Sequence, residues 1–226
     1  MMSAKKILFV LTSHDKLGST AGVTGFYLPE LTHPLEQLEN AGFSVDFASI
    51  KGGTPPVYGV ELDDAVNAHY WHDETFQHKL AHTAALEQVD AAQYAAVLYV
   101  GGHGTMWDFP QSEAVQRVTR EIWQHHGVVA AVCHGPSALV NVTLDDGSLL
   151  VAGKQVSAFT DEEEHIVQLE KVVPFLLSSK LQQQGAIIAG AAAWQDQVSV
   201  DGRLITGQNP QSAASVGKAI VKILQG

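Results

Sequence analysis

Val128-Val129-Ala130-Ala131-Val132-Cys133-His134-Gly135-Pro136-Ser137-Ala138-Leu139 is the stretch that decides the fold. Five small apolar residues read as a short buried strand, Cys133 stands at its end, and Gly135-Pro136 opens a helix. A strand that runs through a tight turn into a helix lifts one side chain out of the core. With serine at that position it is the nucleophile elbow of hydrolase folds. The backbone N–H groups and dipole at the start of the helix favour a thiolate. A buried structural thiol fits the same stretch, because free cysteine is among the most buried residue types. Cys133 is the only cysteine in the chain.

On both sides of this elbow, apolar strands alternate with helical stretches. Lys5 to Leu11 is a nearly continuous apolar run, as expected of a parallel strand covered on both faces. A polar loop over 12–25 leaves it. Pro29 suits the first turn of a helix, and Leu31, Leu35, Leu38 and Ala41 fall at helical spacing before Gly42. Phe43 to Ile50 is the second strand, and the β-α-β order predicts a right-handed crossover. Lys51 to Asp73 lacks a clean period, and Glu74 to Val89 reads as helix. Tyr94 to Val100 is the third strand and Gln111 to His126 a helix. After the elbow come a strand over Lys154 to Phe159, a helix capped by Thr160, and a helix over Pro174 to Gln184. A hairpin around Asp201-Gly202 and a final helix over Gln211 to Leu224 complete the chain. The pattern predicts an α/β chain of 226 residues with a mostly parallel sheet in one domain, 1–226, with residues 51–90 as a covering excursion.

Composition bounds the function. The net charge of −11 argues against a general nucleic-acid or anionic-membrane partner, since both need clustered Lys and Arg. A single cysteine forms no intramolecular disulfide and fits a reducing, cytoplasmic compartment. The apolar run near the N-terminus is too short for a signal peptide or a membrane span.

In parallel α/β sheets the site lies beyond the C-terminal strand ends. Three loops reach that edge: 12–30, 101–110 and the Cys133 elbow. Gly101 and Gly102 offer unobstructed backbone N–H groups, half of an oxyanion hole, with the His134 amide as the other half. A tight turn explains the same glycines. Glu30 is the acid of the first βα unit, although an acid in a first helical turn also simply complements the dipole, as do Asp161 and Glu164. Trp107 follows the glycine loop as a candidate pocket wall, and Tyr70 and Trp71 supply either a lid or an apolar dimer surface. His78 and His82, four apart, share a helix face that suits a metal or, more simply, solvent.

Ala131-Val132-Cys133-His134-Gly135-Pro136, Gly101-Gly102-His103-Gly104-Thr105-Met106-Trp107-Asp108 and Gly202-Arg203-Leu204-Ile205-Thr206-Gly207-Gln208-Asn209-Pro210 resemble the DJ-1/PfpI superfamily. The similarity runs from Lys5 to Leu224 and is strongest to the heat-shock-inducible branch of glyoxalase III, protein deglycase and holding-chaperone proteins. The resemblance implies a flavodoxin-like, three-layer α/β/α sandwich with Cys133 in a strained backbone conformation. It makes Cys133 the nucleophile, His134 its neighbouring imidazole, Glu30 the acid that contacts the thiol, and Gly102 with the His134 amide the oxyanion donors. The third acid matches Glu164 or Asp161, with Glu164 preferred. No metal site is carried over and no cofactor is implied. The partners implied are a small dicarbonyl substrate, glycated or misfolded proteins, and a second copy of the chain.

The implied reaction turns methylglyoxal into D-lactate through a Cys133 hemithioacetal and an enediol. Two other classes fit the elbow: a cysteine peptidase or amidase, and a non-enzymatic stress protein that senses oxidation at Cys133.

Overall fold

The protein is described here from a computed structural model covering residues 6–226. The first half contains β1 (Lys6–Leu11), β2 (Phe26–Tyr27), α1 (Leu28–Asn40), β3 (Ser44–Ser49), β4 (Val57–Tyr58), α2 (Ala65–Trp71), α3 (Glu74–Ala81) and β5 (Ala84–Ala85). Then follow β6 (Tyr94–Tyr99), α4 (Thr105–Asp108), α5 (Glu113–Gln124) and β7 (Val128–Val132), which leads into a 3₁₀ turn over Gly135–Leu139. The last part holds β8 (Gln155–Val156), α6 (Asp161–Ile166), α7 (Leu177–Gln183), β9 (Ile187–Ile188), β10 (Val198–Asp201), β11 (Leu204–Gly207) and α8 (Ala213–Gln225). Lys5, the expected start of the first strand, lies outside the described residues.

Seven strands form the central sheet in the order β10-β11-β7-β6-β1-β3-β5. All neighbours are parallel except the β10–β11 hairpin. Successive residues of a strand point to opposite faces, and both faces here are dry. Leu8, Val10, Val97, Tyr99, Val129 and Ala131 face one apolar layer, which contains Val115, Val118 and Ile122 of α5 and Leu177 and Leu181 of α7. Ile7, Phe9, Leu11, Leu98, Ala130 and Val132 face the other, with Leu31, Leu35 and Leu38 of α1 and Val216 and Ile220 of α8. The result is a mostly parallel α/β sheet, as the pattern predicts, in the three-layer α/β/α sandwich that the resemblance implies. Burial on both faces explains the unbroken apolar runs of β1 and β7.

Several expected boundaries move for local reasons. The helix from Glu74 stops at Ala81, well short of Val89. Thr83 then bonds Ser49 Oγ at 2.7 Å and the Gly53 carbonyl at 2.6 Å, and Ala84–Ala85 is drawn onto the edge of the sheet. The strand expected over 154–159 shrinks to β8, because the Ser157 amide bonds the Thr206 hydroxyl and the Phe159 amide bonds the Cys133 carbonyl. The helix expected from Pro174 begins only at Leu177. Within the excursion, β4 pairs with β2 and so carries Tyr58 to the end of the sheet where Cys133 stands. Tyr70 and Trp71 form no lid. Tyr70 is core, with its hydroxyl on Glu39 at 2.8 Å, and Trp71 packs against that core.

Phe9 is fully buried and stacks on Phe47 with ring centroids 6.2 Å apart. Phe9→Ala is expected to destabilise the fold by about 3–5 kcal/mol, read as a lower midpoint in urea unfolding.

Candidate active site

Cys133 occupies the left-handed region, with φ of 59°. Its N–H donates to the Gly207 carbonyl of β11 and its carbonyl accepts from the Phe159 amide, both at 2.9 Å. The elbow also depends on Gly135, where any Cβ would land on the Tyr99 carbonyl. Held this way, the thiol leaves the strand direction and enters a pocket of about 310 Å³ at the sheet edge.

The thiol sits at the end of a hydrogen-bonded chain. Cys133 Sγ lies 3.3 Å from His134 Nδ1, and His134 Nε2 lies 2.8 Å from Glu164 Oε2. The second oxygen of Glu164 lies 2.8 Å from Nε2 of His103, whose Nδ1 is 3.3 Å from the Tyr58 hydroxyl. Burial works to raise Glu164, but the hydrogen bonds from His103 and His134 outweigh it and hold the carboxyl down to about 2. Burial, followed by the nearby His103, holds the His134 imidazole down to about 4. A neutral ring beside an ionised carboxylate carries its proton on Nε2, which leaves the Nδ1 lone pair facing the thiol. Such an arrangement can serve as a nucleophile, a base and an orienting acid.

Glu30 supplies a second acid on the other side of the thiol, from the first turn of α1. It is fully buried, neither oxygen has a hydrogen-bond partner of good geometry, and its polar neighbours are the Cys133 thiol and the Gly101 amide. Burial pushes its carboxyl up to about 8, so it is protonated at neutral pH. Burial, followed by Glu30, also pushes the Cys133 thiol well above its ordinary range. This corrects the expectation of a thiolate stabilised by the elbow helix. The five-residue 3₁₀ turn offers little dipole, and the resting site is a thiol beside a carboxylic acid.

Gly101 and Gly102 divide the expected oxyanion role. The Gly101 amide faces Glu30, and a Cβ there would strike the Glu30 carboxyl and the Val132 carbonyl. Gly102 has φ of 111°, and a Cβ on it would meet the Gly25 carbonyl and the Tyr27 amide. Among the described residues nothing accepts from the Gly102 N–H, and the His134 N–H faces the Cys133 sulfur. The Gly102 N–H is free to meet an oxyanion formed beside the sulfur that the His134 N–H already faces.

Other expected residues lie elsewhere. Asp161 does not reach His134. It accepts from Ser178 Oγ at 2.6 Å and from Ser179 Oγ at 2.5 Å, tying α6 to the start of α7. Trp107 is not a pocket wall; it stacks on His14 with ring centroids 5.1 Å apart. His78 and His82 are stacked on the exposed end of α3, with His82 Nδ1 on the His78 carbonyl.

The walls are instead Tyr27, Tyr58, Phe159 and Trp194, with Leu17 and Val23 among the residues at the mouth. Phe159 packs 4.2 Å from the His134 ring and 5.7 Å from Trp194, centroid to centroid. The sequence reading assigns no role to His103 or Tyr58. His103 lies inside the quoted Gly-Gly-His-Gly loop, whereas Tyr58 carries no local signal. His103, His134 and Glu164 are the described residues whose ligand atoms are close enough to hold a cation, all within 4.8 Å. In this state both Nε2 atoms are engaged with the carboxylate, and a metal would displace those protons.

The buried acid costs stability. A carboxyl whose folded pKa is raised stabilises fully only below its unfolded value, and that contribution is lost as pH rises toward about 8. Glu30→Gln is therefore expected to match wild-type stability near pH 4. Above that pH it should gain on the wild type by on the order of 1 kcal/mol per pH unit up to about pH 8, measured by thermal melts across pH.

The chain matches known proteins along nearly its whole length. The DJ-1/PfpI family model matches residues 22–223. The chain is 32% identical to the glutathione-independent glyoxalase HSP31 of Saccharomyces cerevisiae over 240 residues, covering 99% of this chain and 100% of that protein. Among solved structures it is similar to the 24 kDa rapid encystment protein of Francisella tularensis, with TM-score 0.94 and 38% identity over 97% and 99% of the two chains. It is also similar to glyoxalase III of Candida albicans, with TM-score 0.89 and 28% identity over 97% of each chain. This chain, with its Cys133 elbow and Glu30 acid, belongs to the DJ-1/PfpI family.

Proposed function

We propose that the protein is a glutathione-independent glyoxalase that converts methylglyoxal and related 2-oxoaldehydes to 2-hydroxy acids, D-lactate from methylglyoxal. The observation that carries this reading is the protonated Glu30 beside a thiol that already has its own base, His134. A peptidase needs one base for its nucleophile. An aldehyde–alcohol rearrangement must also move hydrogen between adjacent carbons, which needs a second acid–base group.

The chain's residues balance each step. His134 Nδ1 takes the thiol proton as sulfur bonds to the aldehyde carbon, and the oxyanion formed meets the Gly102 and His134 amides before the imidazolium reprotonates it. His134 next removes the hydrogen on the former aldehyde carbon while Glu30 protonates the neighbouring ketone oxygen, giving an enediol. The imidazolium then delivers its proton to the second carbon as the Glu30 carboxylate takes the hydroxyl proton of the first. This leaves a Cys133 thioester and restores both groups. Water, deprotonated by His134, hydrolyses the thioester, and sulfur leaves with that proton. Cys133 thus supplies the thiol that glutathione provides elsewhere.

The relatives support this reading: proteins named glutathione-independent glyoxalases align along the full chain. A lone buried thiol and a charge of −11 support a cytoplasmic enzyme acting on small neutral dicarbonyls. No helix among the described residues is long and apolar enough to cross a membrane. Protein deglycase activity would share the same hemithioacetal step, and competition between free methylglyoxal and a glycated peptide separates the two.

Cys133→Ala is expected to abolish D-lactate formation from methylglyoxal without added glutathione, and Glu30→Gln to lower kcat by about 10²–10⁴-fold. Unchanged lactate release from the Cys133→Ala protein, or faster turnover of a peptide or amide panel than of methylglyoxal, would overturn the reading.

The pH profile follows from the same groups. The scheme needs neutral His134 and protonated Glu30, so kcat/KM is expected to fall below about pH 4 and above about pH 8. The fall above about pH 8 should be absent from Glu30→Gln.

A further inference from the structure

We propose that His103 is a positioning residue for the nucleophile: it grips the free oxygen of Glu164 and so fixes the orientation of His134 toward Cys133. The inference deepens the glyoxalase reading, but it concerns the thiol and can be tested without that substrate.

A carboxylate held by one hydrogen bond can rotate and carry its partner with it. Glu164 is held by both oxygens, one 2.8 Å from His134 Nε2 and the other 2.8 Å from His103 Nε2. Gripped this way, the plane of the carboxylate is set, as in a two-point ion pair. His134 is also confined by ring contacts, 4.0 Å to His103 and 4.2 Å to Phe159. Its Nδ1 is thereby left one direction to point, and the thiol lies there at 3.3 Å.

The grip works only if His103 carries its proton on Nε2, and Tyr58 sets that. The Tyr58 oxygen accepts from the His103 backbone N–H at 3.4 Å, which leaves its own proton for His103 Nδ1 at 3.3 Å. Burial keeps the phenol protonated by raising its pKa. The titratable groups that face this cluster are Cys133 at the elbow, Glu30 from α1, Glu163 from α6, Tyr27 from β2 and Tyr58 from β4. None of them offers Glu164 another N–H donor, so removal of His103 frees one buried carboxylate oxygen. The route runs from the excursion, through His103, to the thiol.

Three variants test this: His103→Leu, which fills the space without a donor; His103→Gln, which restores a side-chain N–H; and Tyr58→Phe, which removes the hydroxyl that donates to Nδ1. The direct readout is the rate of Cys133 alkylation by iodoacetamide at pH 7, followed by mass spectrometry, since Cys133 is the chain's only cysteine. Leu is expected to slow alkylation by about 10–100-fold, the loss seen when the hydrogen-bond partner that orients a metal-ligating imidazole is removed. Gln should recover most of that loss, and Phe should lie between wild type and Leu. Methylglyoxal turnover, measured alongside, should lose kcat in the same order with KM little changed.

Alkylation of the Leu variant at the wild-type rate would overturn the proposal, as would a Gln variant no faster than Leu. Should Leu not fold, a wild-type rate in Tyr58→Phe would overturn it equally. Alkylation that follows the expected order in a protein without methylglyoxal turnover supports the positioning role and overturns the glyoxalase reading instead.

Discussion

Two backbone hydrogen bonds hold the site together: the Cys133 N–H on the Gly207 carbonyl and the Phe159 N–H on the Cys133 carbonyl. A non-glycine residue at φ of 59° costs about 1–2 kcal/mol and persists only where its surroundings impose it. Here β11 fixes one side of the peptide and the chain returning at Phe159 fixes the other. Once the elbow is set, the rest follows from the topology. The thiol must leave the sheet at its C-terminal edge, where α1 presents Glu30 and the loop after β6 presents Gly101 to His103. The Phe159 that clamps the elbow also packs on the His134 ring, so one residue serves both the backbone and the base.

The site is expensive in a second way. It buries a carboxylate, an imidazole, a carboxylic acid and a thiol at the edge of a dry core, with the part-buried His103 beside them. The two carboxyls are handled oppositely. Glu164 receives two N–H donors and stays ionised; Glu30 receives no well-formed donor and stays neutral. Environments that drive two like groups to opposite states are the usual route to an acid and a base at one pH. Here the ionised Glu164 pairs with His134, and the neutral Glu30 stands beside the thiol.

Much of this was legible in the sequence because the signals were local. The unbroken apolar runs of β1 and β7 require cover on both faces, and Val132-Cys133-His134-Gly135 reads as a tight strand-to-helix turn, with a structural thiol as the alternative. The preference for Glu164 over Asp161 came from resemblance; the structure adds the reason, since Asp161 is spent on Ser178 and Ser179. What could not be read depends on contacts distant along the chain. Thr83 ends the helix begun at Glu74 by bonding residues 30 and 34 positions earlier. Tyr58 reaches the site only because β4 pairs with β2. Trp107 follows a loop that lines the pocket, yet the turn of α4 sends it onto His14. Even the sign of the thiol's shift needed burial, which a sequence does not display.

The adjacent acids of α6 show how short-range and long-range order combine. Glu163 closes a capping box with Thr160, a pattern readable as Thr-x-x-Glu. In the fold one of its oxygens takes the Thr160 amide and hydroxyl. The other takes the Trp194 amide and the side-chain amides of Gln208 and Asn209. Glu163 thereby anchors the segment that carries Trp194, a wall of the pocket. Glu164, one residue on, turns to the opposite task and holds the two histidines. Because both acids ride on one six-residue helix, the pocket wall and the imidazole beside the thiol are referenced to the same backbone. One turn of helix therefore ties Trp194, through Glu163, and His134, through Glu164, to a common support.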